Sequence, residues 1–153
     1  MSRSFQSARE QCGSTMVETA LMLSVLLVMM FGIVGFGHAL YTYHFVSNAA
    51  REATRWASVR GQTCTGLSGG CPASASDVQT YVSNVSGMGL DPAKITATTT
   101  WIAPPNNLAV CKTQSNNPGC VVEVEVQYSY QFLLPLLPSG FKMQSTSQMV
   151  ISQ

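Results

Sequence analysis

A run of nineteen residues without Asp, Glu, Lys or Arg, from Thr19 to Gly37, constrains this chain more than any other feature of its sequence. At about 1.5 Å per residue it forms about 28 Å of helix, close to the roughly 30 Å hydrocarbon thickness of a bilayer. The run therefore predicts one membrane-spanning helix. A single carboxylate, Glu18, stands at its start, where an ionised side chain is costly and marks a candidate functional site.

Two general explanations of this N-terminus remain open. An ordinary secretory signal has an apolar core of about 7–15 residues followed by a small-residue cleavage site, and the present run is longer. An uncleaved membrane anchor is the other alternative, because the helix dipole favours a carboxylate such as Glu18 near a helix start.

The order of residues around Glu18 is more specific than its apolar length. The chain reads Gly13-Ser-Thr-Met-Val-Glu18, so a cut after Gly13 makes Ser14 the first residue and Glu18 the fifth. This pattern resembles the leader of type IV pilins and pseudopilins. Together with the segments Phe31-Gly-Ile-Val-Gly-Phe-Gly37 and Asn48-Ala-Ala-Arg-Glu-Ala-Thr-Arg-Trp-Ala57, it is similar to the TadE-like pseudopilins of tight-adherence pilus systems.

The resemblance is good over residues 11–60 and faint over 121–151. It implies processing between Gly13 and Ser14 by a prepilin peptidase, and pairing of Glu18 with the first amine of a neighbouring subunit. It also implies other pilin or pseudopilin subunits, an inner-membrane assembly platform and the lipid bilayer as partners. Thr19 departs from the aromatic residue common after the glutamate, and Ser14 from a bulky apolar first residue, which favours a minor over a major subunit.

The predicted organisation has four parts. Residues 1–13 form a prepilin-type leader, 14–37 the transmembrane helix, 38–61 its extracytoplasmic continuation, and 62–153 a small α+β domain. The continuation is predicted from an apolar stripe with spacings of three and four residues, and Gly61 is its expected end. The stripe consists of Ala39, Tyr43, Val46, Ala50, Ala53 and Ala57.

Composition limits the partners of the chain. Only 10% of its 153 residues are charged, and the net charge is +1. Loss of residues 1–13 removes Arg3, Arg9 and Glu10, which leaves a mature chain of zero net charge. A neutral chain is not expected to bind nucleic acid.

Four of the five cysteines form two local pairs, Cys64 with Cys71 and Cys111 with Cys120, each enclosing residues typical of loops. Two short disulfides are the natural interpretation, although four cysteines allow three pairings. A four-cysteine zinc site is an alternative with unfavourable spacing, because its ligands are usually separated by two to four residues. Disulfides place the residues after the span in an oxidising, extracytoplasmic compartment. Cys12 then belongs to the cytoplasmic leader.

The remaining sequence predicts one short helix and three strands. Ser76 is the expected helix cap, Asp77 lies in the first turn, and Gly87 is the expected end. Strict alternation from Val122 to Phe132 predicts a strand with one buried and one wet face. A strand over 95–101 ends before Pro104-Pro105, and a strand over about 142–151 follows the turn at Pro138-Ser139-Gly140. Together these predict an α+β fold, a pilin-like lollipop whose long N-terminal helix packs across a three-stranded antiparallel sheet.

No catalytic set or phosphate-binding loop is evident, so we expect neither an enzyme nor a cofactor or metal site. Glu123 and Glu125 share the wet face of a strand, where solvated carboxylates are the usual outcome. His38 and His44 lack a partner at metal-ligand spacing. The apolar loop Leu133–Pro138 either docks a partner or packs against the helix. Gly32, Gly35 and Gly37 either allow close helix packing or need no partner.

The sequence thus predicts a minor pseudopilin of a tight-adherence pilus, acting in assembly, priming or surface attachment. It is expected in a bacterial inner membrane with its C-terminal domain extracytoplasmic. A single-span, membrane-anchored binding module that does not assemble is one alternative. A secreted, disulfide-held effector is another.

Overall fold

The computed structural model describes residues 4–85, 90–103, 111, 115–131 and 140–152, with only the backbone described over 4–13. The elements in chain order are α1 (Ser4–Ser58), α2 (Ala75–Val85), a 3-10 turn (Pro92–Lys94), β1 (Ile95–Ile102), β2 (Val121–Ser129) and β3 (Lys142–Val150). The predicted α+β class is confirmed, with a long N-terminal helix and a small three-stranded antiparallel sheet. The chain divides into two compact units, Met1–His38 and Ala39–Gln153.

The sheet is an antiparallel meander in the order β1-β2-β3. Its central strand alternates between buried and half-buried residues, as predicted: Val122, Val124 and Val126 have no exposed surface. Tyr130 lies beyond the end of β2 and is also buried, whereas Phe132, Pro104-Pro105 and Pro138-Ser139 lie outside the described residues. At Gly140 a Cβ would overlap the carbonyl oxygen of Tyr130, so this close approach requires glycine.

Within the second unit, α1 presents a stripe of small residues to the core. Val46, Ala50, Ala53 and Ala57 are buried, as predicted, and Ala39 packs at the edge of the core. The prediction that Tyr43 belongs to the stripe is wrong, since 54% of its surface is exposed. Thr42 is buried in its place. The helical period explains the correction, because residue 42 precedes Val46 by four positions and lies on its face. Helix α1 also ends at Ser58, three residues before the predicted Gly61.

The stripe of α1 and the valine face of β2 belong to one hydrophobic core, together with Val78 and Val82 of α2. The expectation that these surfaces cover each other is confirmed. Polar contacts fix the helix against β3: Thr54 Oγ1 donates to Ser147 O at 3.3 Å, and Ser58 Oγ lies 3.3 Å from Met149 Sδ. The amide of Ser152 donates to Ser58 O at 2.9 Å.

Helix α2 begins with a reciprocal cap. Ser74 N and Ser74 Oγ donate to Asp77 Oδ2 at 2.9 and 2.5 Å, and Asp77 N donates back to Ser74 Oγ at 3.3 Å. The cap is therefore Ser74, two residues before the predicted Ser76, because a carboxylate three residues after the cap closes this box. Val78 and Val82 face the core as predicted. The helix is described as far as Val85, and the predicted end at Gly87 lies outside the described residues.

The side chain of Gln79 covers the start of β1, one of the two edge strands of the sheet. Gln79 of α2 donates through Nε2 to Ile95 O at 3.1 Å, and its Oε1 accepts from Ala97 N at 2.5 Å. The amide thus occupies the place of a neighbouring strand's peptide group on the edge of β1. Unpaired edge groups invite the addition of another chain, so this contact protects the start of β1.

Replacement of this amide is expected to destabilise the domain. Gln79→Ala leaves the amide of Ala97 and the carbonyl oxygen of Ile95 without this partner at the edge of β1. This loss costs about 1–3 kcal/mol of unfolding free energy. The measurement is denaturant unfolding of the detergent-solubilised full chain, together with hydrogen exchange at the Ala97 amide, which we expect to accelerate. The matched control is Gln127→Ala, whose amide donates to Glu125 on the open sheet face. Equal losses for the two variants would contradict the role given to Gln79.

The cap of α2 also predicts a pH dependence. The hydrogen bonds from Ser74 lower the pKa of Asp77 below its ordinary value, the hydroxyl having the larger effect. The cap therefore stabilises the fold above the unfolded pKa, near about 4, and this contribution is lost as the pH falls through the lower folded pKa. Asp77→Asn should flatten this part of the stability profile, and Ser74→Ala should reduce it. Unfolding midpoints between neutral pH and about pH 2 test this, and an unchanged acid limb in Asp77→Asn would refute it.

Candidate functional site

The apolar part of α1 is uncovered by the rest of the described chain. Its large side chains are widely exposed, from 41% for Leu27 to 76% for Met16. The helix contains an 18-residue window with a mean hydropathy of 2.4, none of it buried. Lipid or other apolar helices must cover such a surface, and a single N-terminal helix of this kind fits a single-pass membrane anchor.

Glu18 is the only ionisable acid or base from Ser14 to Ala50 other than histidine and tyrosine. It lies on an exposed part of α1, four residues after Ser14. Four residues correspond to about 6 Å of helix rise, and a helical side chain leans toward the N-terminus, so the carboxylate extends over the turn that begins at Ser14. Within the described part of the chain, no hydrogen bond or ion pair to this carboxylate is found.

Two hydroxyl groups near Glu18 do have hydrogen-bond partners, in contrast to its carboxylate. Thr19 Oγ1 donates to the backbone oxygens of Thr15 at 2.9 Å and Met16 at 3.0 Å, and Ser24 Oγ donates to Leu21 O at 2.8 Å. Such back-bonding satisfies a hydroxyl inside its own helix and allows it to enter lipid cheaply. The carboxylate is therefore the polar group of this region that still requires a partner from outside the described residues.

The residues of the predicted processing site lie inside α1. The helix runs through Gly13 and Ser14 without interruption. Glycine is the weakest helix former apart from proline, by about 1 kcal/mol relative to alanine, so Gly13 lowers the cost of opening the helix at this point. A cut between the two residues makes Ser14 the helix start, and the positive end of the helix dipole then lies beside Glu18.

The three glycines of the apolar segment give no further information on packing. A Cβ placed at Gly32, Gly35 or Gly37 would meet no atom within 4 Å. Among the described residues there is thus space for a side chain at each of these positions.

The cysteines are joined as two local pairs. Cys64 is bonded to Cys71, with 5.9 Å between their Cα atoms, and Cys111 is bonded to Cys120, with 5.4 Å. Cys111 and Cys120 are both buried, at the start of β2, whereas Cys64 and Cys71 are half-buried and close a surface loop. No group of three or more His, Cys, Asp or Glu side chains that could hold a metal ion is found in the described ranges.

Glu123 and Glu125 have neutral donors around them. Glu123 accepts from Gln148 Nε2 and, at 3.4 Å, from Thr100 Oγ1, and Glu125 accepts from Gln127 Nε2 at 2.8 Å. His44 has an edge contact with Tyr43, with 6.1 Å between the ring centroids. The apolar loop Leu133–Pro138 lies outside the described residues.

One cluster was not predicted from the sequence. The guanidinium carbon of Arg60 lies 4.1 Å from the ring centroid of Trp56, and Tyr81 stacks on the same indole at 5.0 Å. Tyr81 also donates to Glu52 Oε2 at 3.3 Å, and burial together with this carboxylate raises the pKa of Tyr81. The four-residue spacing of Trp56 and Arg60 could have indicated their contact from the sequence. The stacking of Tyr81 could not be predicted in this way, because Tyr81 belongs to α2.

The geometry describes a class of protein: an exposed, apolar N-terminal helix, followed by a small disulfide-bonded α+β unit. Near the start of the helix lies one carboxylate that has no partner among the described residues. Comparison with known families agrees with it. The model of the TadE-like protein family matches residues 13–55. The segment from Gly13 to Arg55 is thus TadE-like, as the sequence resemblance indicated, and it supports a pseudopilin associated with a tight-adherence pilus.

Comparisons of the whole chain add nothing to this match. No curated protein and no solved structure matches the chain significantly. The resemblance to the TadE-like family therefore rests on the helix that carries Gly13, Ser14 and Glu18.

Proposed function

We propose that this protein is a minor pseudopilin of a tight-adherence pilus, processed by a prepilin peptidase after Gly13. It waits in the bacterial inner membrane as a single-pass protein with residues 38–153 outside the cytoplasm. From there an assembly platform transfers it to a complex with other pilin or pseudopilin subunits, where it primes the pilus or attaches it to a surface. It acts by assembly rather than as an enzyme and uses no cofactor.

The observation that carries this proposal is Glu18, a carboxylate within a TadE-like apolar helix for which the described side chains provide no partner. At the centre of a bilayer such a group costs about 2.5–3.5 kcal/mol, and less toward the interface. The ammonium group released at Ser14 of a neighbouring subunit offsets part of this cost. Because both groups have fixed positions on their helices, their pairing also sets the axial register of adjacent subunits.

Two features of the chain support placement of residues 38–153 outside the cytoplasm. Both cysteine pairs lie after the apolar segment, and disulfides persist in oxidising compartments. The same placement leaves Cys12 on the other side of the span. The TadE-like match covers only the helix, so the role of residues 56–153 in priming or attachment is part of the proposal.

The first test is the mature N-terminus. We expect the membrane-extracted chain to begin at Ser14 in cells that contain their prepilin peptidase, and at Met1 in cells that lack it, as measured by mass spectrometry. Met1 in both strains would remove the pilin mechanism and leave a membrane-anchored module. A soluble chain cut after the apolar run would identify an ordinary secreted protein.

The second test concerns the carboxylate. Glu18→Ala should insert into the membrane normally, or slightly better, but should fail to enter the pilus, because the neighbouring amine loses its counter-charge. Glu18→Gln separates charge from polarity and is expected to fail as well. The measurement is the amount of the chain in sheared pili relative to that in the membrane.

The matched control for Glu18 is Thr19→Ala. It removes an adjacent polar group whose hydroxyl is already bonded to its own helix, so we expect normal incorporation. Normal incorporation of Glu18→Ala, or equal loss in the control, would refute the role given to the carboxylate.

A further inference from the structure

The second unit carries unpaired charges of opposite sign on two opposite faces. Helix α1 packs on the inner face of the sheet, so its solvent side and the outer face of the sheet look in opposite directions. Arg51 and Arg55 are exposed on the helix, and Val59, 37% exposed, follows with the same spacing of four residues. We call these three residues the arginine face.

The register of the sheet defines the other face row by row. The first outer row is apolar and consists of Ile102, Val121 and Val150. The second is Thr100, Glu123 and Gln148, and the third is Thr98, Glu125 and Thr146. The fourth, Thr96, Gln127 and Gln144, is neutral. We call the first three rows the acidic face, since its two central charges are both carboxylates.

Neither face is neutralised by the described residues. Glu123 and Glu125 accept hydrogen bonds from amide and hydroxyl groups but lie in no ion pair, and no ion pair to Arg51 or Arg55 is found among the described side chains. Glu52, beside the arginines, is held by the hydroxyl of Tyr81. Lys142 lies at the far end of the outer sheet face, opposite Ser129.

Contacts inside the domain give the relative height of the two faces. Thr54 bonds to Ser147, which pairs with Val124, and Ser58 contacts Met149, which pairs with Val122. Arg55 therefore lies close to the level of Glu123, and by the same count Arg51 lies close to Glu125 and Val59 close to Val121. These contacts also show that α1 runs along β3, and hence antiparallel to β2.

The spacings of the two faces match. Four helical residues advance about 6 Å, and two strand residues advance about 6.7 Å. Taken in opposite chain directions, Val59, the first residue after α1, followed by Arg55 and Arg51 on the helix, therefore has the same order as Val121, Glu123 and Glu125 on the strand. A copy displaced perpendicular to the sheet, without rotation or change of height, brings each arginine to the level of its complementary carboxylate, which lies one strand away on β2. This neighbour is distinct from the one whose Ser14 pairs with Glu18, because that pairing requires an axial offset of about 6 Å.

We propose that the arginine face of one copy of this chain binds the acidic face of a second copy, with Arg55 on Glu123, Arg51 on Glu125 and Val59 in the apolar row. The contact is heterologous, and repetition of a translation leaves it open, so rows of copies form. This contact rests on the proposed function, because assembly of a pilus brings extracytoplasmic domains side by side in one orientation. It deepens that function by naming the surface through which they meet.

The position of the contact can be tested by thiol bridging in native membranes. The full chain carrying both Val59→Cys and Val121→Cys should give a ladder of multimers with a short thiol-specific bridging reagent, because each copy joins two neighbours. All variants also carry Cys12→Ser, so that no thiol of the leader reacts, and either single variant should then give at most dimers. The control combines Val59→Cys with Gln144→Cys, on the same sheet face but three rows away, and should give no ladder. A ladder in this control, or none in the test pair, would overturn the proposal.

Charge reversal tests the chemistry of the contact. In the bridging background, Arg55→Glu or Glu123→Arg should lower the ladder at least about tenfold, because attraction becomes repulsion. The two reversals together should restore it. Lys142→Glu changes the net charge as much as Arg55→Glu but lies outside the contact, and it should have no effect. Reversals without effect, or a combination that fails to restore the ladder in a folded chain, would refute the pairing.

The mature N-terminus and the pilus content of the same cells separate the two proposals. Incorporated chains that begin at Ser14 but give no ladder would refute the contact and leave the proposed function standing. A ladder from chains that begin at Met1 in all strains would support the contact and refute the pilin mechanism. If the two faces bind a soluble charged partner instead of a second copy, no ladder forms with either N-terminus. That result would refute the contact between copies.

Discussion

The packing of alanines on valines between α1 and β2 is the interaction on which the second unit depends. Ala50 and Ala53 have no exposed surface, and neither do the three central valines of β2. Small side chains allow the helix to lie close to the sheet, where Thr54 and Ser58 reach β3. These contacts place the outer side of the helix and the outer side of the sheet at defined heights. The distribution of charge over the domain follows from that placement.

The apolar side chains described in the first unit, in contrast to the core residues of the second, are exposed. From Ser14 to Gly37 the helix satisfies its own backbone and its hydroxyl groups but covers none of its apolar side chains. Such a segment is stable only in lipid or among other helices, and it leaves one carboxylate without a described partner. The partners of this helix must therefore come from outside the described residues.

Local patterns in the sequence predicted the elements, and the resemblance around Gly13 and Glu18 predicted the family. The alternation of β2 is strong because one face is buried throughout, and the first turn of α2 is marked by Asp77. Errors arose where neighbouring positions carry similar signals. Thr42 and Tyr43 are both compatible with an apolar stripe, and Ser74 and Ser76 are both good caps, so only the helical phase and the position of Asp77 decide between them.

The remaining features depend on residues far apart in the sequence. No local pattern indicates that Gln79 bonds to β1, or that Tyr81 stacks on Trp56 beside Arg60. The rows of the outer sheet face require the register of three strands, and the level of Arg55 relative to Glu123 requires contacts between α1 and β3. The sequence shows these charges, but their arrangement emerges only when the strands are paired.

The separation of charge between the two faces of the domain also gives any row of copies a polarity. One terminal copy exposes two guanidinium groups, and the copy at the other end exposes two carboxylates. The two ends therefore differ chemically, and a different type of subunit can close or start a row by carrying only one of the faces. A mature chain of zero net charge thus distinguishes a beginning from an end.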